Sequence, residues 1–185
     1  KTVIIFLVVL LVALSRYPML NSTVNKVWWN YDDSEYISVA NNIRRGDGFN
    51  IDILEYNQVL TKTQSGEVIY RYIEYKNVGR PYYFAGPIYP LYLATVFIIF
   101  SAKPPTWYMI ASLANLVITT FVIVAIYFFA QKLFDHNTAI LASITAALLP
   151  SLYWYSIRPL PYPLLFLFIV LAFLVASSTL GDKRW

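Results

Sequence analysis

The sequence predicts an all-α polytopic membrane protein. About four transmembrane helices are joined by a first extracytoplasmic loop that carries two juxtamembrane helices and a small β-hairpin. Three observations predict this. The composition is 58% hydrophobic and only 13% charged, against about a quarter charged in an average soluble domain. Three stretches of more than twenty residues, 107–130, 137–157 and 160–180, contain no Asp, Glu, Lys or Arg, enough to cross about 30 Å of hydrocarbon. Most of the charge is confined to residues 15–87.

The apolar run 2–14 is shorter than a span and is read as the remainder of a first transmembrane helix over residues 1–15. The residues after it, Ser15, Arg16, Tyr17 and Pro18, do not resemble the small-residue cleavage site of a secretory signal. The loop is placed at 16–106. Within it, Tyr36, Ile37, Ala40 and Ile43 recur at helical spacing and Gly46 and Gly48 supply a stop, giving a juxtamembrane helix over 33–46. Between 51 and 76, β-branched and aromatic residues flank Gln64, Ser65, Gly66 and Glu67, the pattern of a hairpin. A second juxtamembrane helix, 88–100, is apolar for thirteen residues, which is too short to span; Tyr89 and Tyr92 suit an interfacial belt. The region 107–180 is a three-helix bundle with short links, and 181–185 is a cytoplasmic end.

Charge orients the chain. Lys1, Lys132, Lys183 and Arg184 fall on one side if four spans alternate, and the positive-inside rule makes that side cytoplasmic. The long loop then faces the periplasm, the lumen or the exterior. The net charge of +4 is scattered in sequence and forms no basic stripe, so nucleic acid is set aside as a partner. The partner that composition demands is the lipid bilayer. The chain has no cysteine, which removes disulfides, thiolate nucleophiles and sulfur-based metal sites. Its single histidine, His136, is read as a helix-end residue. Asn21, Ser22 and Thr23 form a glycosylation acceptor tripeptide at Asn21. The sixteen tyrosines and five tryptophans are accounted for chiefly by interfacial belts.

Chemistry is expected at the start of the loop helix. Asp32, Asp33 and Glu35 cluster there, just after Trp28 and Trp29. Carboxylates at a helix N-terminus cap unpaired N–H groups and meet the helix dipole. The functional alternative is a carboxylate that accepts a proton from an acceptor hydroxyl or holds a divalent ion.

The stretch of Asp32, Asp33, Ser34, Glu35 and Tyr36, then Ala40, then Arg45, Gly46, Asp47, Gly48 and Phe49, resembles the first-loop signature of GT-C membrane glycosyltransferases, in the protein mannosyltransferase and aminoarabinose transferase branch. A second block, from Gly86, Pro87, Ile88, Tyr89, Pro90 and Leu91 to Phe100 and Ser101, is similar to that group's juxtamembrane helix. A third, residues 139–150 ending at Pro150, resembles its third span. The resemblance implies that the chain is the N-terminal portion of an enzyme transferring a sugar from a polyprenyl-phosphate donor to an extracytoplasmic acceptor. By position it makes Asp32 the base, with Asp33 as alternate. It allows magnesium or manganese as cofactor, with Asp32 as ligand. Arg80 and Arg158 are the candidate donor-phosphate cations, beside Arg44 and Arg45, which suit snorkelling to headgroups. Two departures stand out. No acidic residue follows the third span, where Arg158, Pro159, Leu160, Pro161, Tyr162 and Pro163 occur, and no Lys precedes the proline block, where Ala85 and Gly86 stand. The first departure supports an alternative: a non-catalytic glycosyltransferase-like subunit that binds other membrane subunits in a larger assembly.

Overall fold

The structure is a computed structural model that describes residue 16 and residues 31–51, 60–62, 68–70, 80–81, 86–103 and 106–179. It is largely helical, and its elements fall into two compact units, one of residues 26–102 and one of residues 1–25 and 103–185.

The first unit pairs helix α1 (Tyr31–Arg45) with helix α2 (Ile88–Ile99). Asp32 and Asp33 lie in the first turn of α1 and Arg44 and Arg45 in the last, so both ends complement the dipole. The end of α1 follows directly from its glycine. Gly46 adopts φ +87°, its N–H donates to the Ile43 carbonyl (3.0 Å), and the Asp47 N–H donates to that of Asn42 (2.9 Å). These are the paired bonds of a Schellman cap. Helix α2 closes in the same way, with Ser101 donating to Ile98 (3.2 Å) and Ala102 to Phe97 (2.9 Å), but a serine occupies the left-handed position at φ +47°.

The core of this unit is Ile37, Val39 and Ala40 of α1 and Tyr89, Leu93, Ala94, Val96 and Phe97 of α2. The Tyr36 and Tyr89 rings meet edge to face at 5.1 Å between centroids. The opposite side of α2 exposes Ile88, Leu91, Ile98 and Ile99, so this twelve-residue helix is apolar on both faces. Strand β1 (Asn50–Ile51) pairs antiparallel with β4 (Arg80–Pro81), and β2 (Leu60–Lys62) with β3 (Val68–Tyr70). Pro81 is tolerated because a two-stranded ladder has only edges. The rest of the segment 51–76 lies outside the described residues.

The second unit contains α3 (Trp107–Leu133), α4 (His136–Leu148), α5 (Pro150–Ser156) and α6 (Tyr162–Thr179). With 27 residues, α3 extends about 40 Å, longer than the hydrocarbon core. Two residues then turn the chain into α4. Asp135 caps it, its carboxylate accepting from the Thr138 N–H at 2.8 Å. The buried residues of α4 are Ala139, Ser143 and Ala147, a small residue at every fourth position, and this stripe packs on Ile123, Tyr127 and Ala130 of α3.

Sequence alone reads 137–157 as one continuous span. In the structure it is two helices bent by 61° at Leu149. Pro150 has no N–H to continue the ladder, and its ring drives Leu149 out of the helical region, to ψ 120°. Among the described residues, α3 and α6 are each long and apolar enough to cross a membrane, and the bent pair makes a third candidate. Arg16, placed by sequence at the start of the loop, is helical and fully buried within this unit.

Candidate functional site

Helix α1 presents its two aspartates differently. Asp32 is exposed, whereas Asp33 is fully buried. One side chain can therefore meet a solute and the other is part of the interior. Along its length the helix also buries the polar side chains of Ser34, Ser38, Asn41 and Asn42, which demand hydrogen-bond partners. Asn42 finds one in the Asn50 carbonyl at 2.8 Å, joining β1 to the C-terminal end of α1.

That bond also locates Arg80. Its backbone is registered opposite Ile51, immediately beyond Asn50. Arg80 thus enters the fold at the Asn42 end of α1, about 13 Å along the helix from Asp33. Arg44 and Arg45 lie farther still, about 16 Å or more from the aspartates; Arg44 is half-buried and Arg45 exposed. Arg44 donates to the Ala102 carbonyl (2.8 Å) and to Asn41 Oδ1 (2.9 Å), which fastens the end of α1 to the residue that closes α2. Arg45 pairs with Asp47 at 3.0 Å and donates to Asn42. Arg44 is thus held by fold contacts, whereas Arg45 makes local contacts from an exposed position.

Arg158 belongs to the second unit. Its guanidinium lies over the Trp154 ring, 5.4 Å from the centroid, a cation–π arrangement. The Tyr155 and Tyr162 rings stack nearby in the chain at 4.4 Å. The backbone that carries Arg158 is held by a residue that sequence reasoning passed over. Asn115 of α3, fully buried, donates through Nδ2 to the carbonyls of both Arg158 and Leu160. The available signal was an amide in the middle of an uncharged 24-residue run, where such a group needs a partner.

Asn21 lies outside the described residues. His136 accepts or donates a hydrogen bond with Tyr127 Oη at 3.0 Å, in keeping with a helix-end role. Among the described residues no three His, Cys, Asp or Glu side chains gather where a metal could be held. Asp32 offers one exposed carboxylate, which matches the use magnesium makes of one or two carboxylates when water and substrate phosphate complete its shell. Tyr92, partly buried in α2, has its phenol pushed up to about 12 by desolvation.

The chain is thus a helical protein with membrane-type spans. It matches no protein-family model, no curated protein and no solved structure.

Proposed function

We propose that the chain is the N-terminal part of a GT-C type glycosyltransferase, which moves a sugar from a polyprenyl-phosphate donor to an acceptor on the extracytoplasmic side of a membrane. The observation that carries this reading is the exposed Asp32 beside the buried Asp33, in the first turn of a helix packed on a short helix that is apolar on both faces. The ordered resemblance of the three sequence blocks supports it. In this reading Asp32 accepts the proton of the acceptor hydroxyl as its oxygen attacks the anomeric carbon, and the bond from that carbon to the phosphate oxygen breaks. The polyprenyl phosphate leaves as an anion, and the reading assigns it Arg158 and Arg80 as cations. In the alternative role, as a metal ligand instead of the base, Asp32 would hold a magnesium or manganese ion, which would neutralise phosphate charge.

The test is transfer from a radiolabelled polyprenyl-phosphate sugar in membranes carrying the full-length protein. Asp32→Asn is expected to lower transfer by about 10²–10⁴-fold, the usual contribution of a general base, with unchanged expression. Arg158→Gln and Arg80→Gln probe the phosphate cations in the same assay. Wild-type membranes that transfer nothing, with the protein recovered in a stoichiometric complex, would instead establish the subunit reading. That reading has its own support: residues 158–163 hold no carboxylate, and Pro163 alone among the described residues of α6 is buried, leaving a long apolar surface for neighbouring helices or lipid.

A further inference from the structure

We infer that Arg16 is a clamp that holds the broken span at its bend, making α5 and the turn after it a fixed platform. The inference is independent of the reaction proposed above. Arg16 has no exposed surface, and it is the largest fully buried side chain among the described residues. An arginine inside a bundle of spans is costly to place there and carries a functional presumption, with its partners as the guide. Those partners lie on both arms of the bend. Nη2 donates to the Ala147 carbonyl of α4 at 2.9 Å. Nε donates to Ser156 Oγ, at the end of α5, at 2.8 Å. The guanidinium also lies 5.0 Å from the centroid of the Tyr153 ring of α5.

The need for such a group follows from the break itself. Continuing the helix would give the Ala147 carbonyl the N–H of Ser151, and the extended Leu149 removes that partner. The neighbouring Ala146 carbonyl is met by the Leu149 N–H at 3.3 Å, which leaves Ala147 to the guanidinium. Helix α5 is seven residues long, below the length at which a helix sustains itself. Arg16 holds it from one side, and Asn115 holds the turn that follows it through the carbonyls of Arg158 and Leu160. A planar fork with donors pointing in separate directions can bridge two helices in this way; a single ammonium on a flexible stem is a poor substitute. A bend at a proline would ordinarily be a hinge, and here both of its arms are tied to one side chain.

The test is hydrogen exchange, read by mass spectrometry on the full-length protein in nanodiscs. Arg16→Met and Arg16→Lys are expected to raise exchange of the amides in residues 150–157 by about tenfold, with residues 107–133 and 162–179 staying within about twofold of the parent. Ser156→Ala removes the Nε acceptor together with the hydroxyl's own bond to the Tyr153 carbonyl at 2.6 Å; it should raise exchange in the same segment by less, and if the Arg16 variants do not fold, unchanged exchange in this variant overturns the clamp. Unchanged exchange over 150–157, or a rise spread evenly over α3 and α6, overturns the clamp. Parent-like exchange in Arg16→Lys alone overturns the two-armed fork and leaves charge as the cause.

Discussion

Replacing Asn115 offers a direct reading of how the Arg158 turn is held. In Asn115→Ala both side-chain donors disappear, but the two carbonyls are not equally affected. The Arg158 carbonyl keeps the Leu160 N–H at 2.8 Å, whereas the Leu160 carbonyl loses its Asn115 donor at 2.9 Å. Polar bonds between membrane helices average about 0.6 kcal/mol, because a chain unfolded in lipid finds other partners, and two of them set a floor of about 1 kcal/mol. Orphaning one buried carbonyl sets a ceiling of about 3 kcal/mol. The expected loss is therefore about 1–3 kcal/mol, a fall in midpoint of roughly 2–12 °C for a chain of this size. Thermal unfolding of the purified protein in detergent, followed by tryptophan fluorescence, measures it. Asn115→Leu should resemble Asn115→Ala, since filling space restores no donor. Asn115→Asp should be worse than either at pH 7, because a carboxylate would face two carbonyl oxygens with nothing to donate. An Asp variant as stable as the Ala variant would refute the assignment of this amide as the donor that holds the turn.

The two Schellman caps give opposite expectations. Gly46→Ala introduces a side chain at φ +87° with open space around it, so its cost of about 1 kcal/mol is conformational, while Ser101→Gly removes strain at φ +47° and should stabilise by a similar amount; chemical denaturation of the two variants checks both signs. Tyr92 should ionise late in a spectrophotometric titration, near pH 12, and Tyr92→Phe should remove that step. Because burial raises its folded value above the ordinary one near 10, the preference for the neutral phenol contributes fully below about pH 10 and is lost as pH rises toward 12.

Where a local pattern carries the information, the sequence was readable. The long apolar runs at 107–130 and 160–180 correspond to α3 and α6, the thirteen-residue run at 88–100 to the short α2, and Gly46 to the end of α1. Each follows from composition or from a single residue's backbone preference. The bend within 137–157 was signalled too: a proline disfavours helical backbone at the residue before it, and Leu149 precedes Pro150. Hydropathy favours one continuous helix there because the run carries no charge.

The sequence by itself determined that this chain is built of membrane-type helices, that one of them is too short to span, and that three acidic residues, Asp32, Asp33 and Glu35, cluster at the head of a helix. Only the tertiary structure decided which aspartate is exposed and which is buried, because neighbours in one helical turn point in different directions. It also took the tertiary structure to show that Arg44 fastens α1 to the end of α2, and that Arg16 and Asn115 hold the bent span and its turn. Their partners are backbone carbonyls distant in sequence, and a carbonyl freed by a helix break leaves no mark in the residue that will satisfy it.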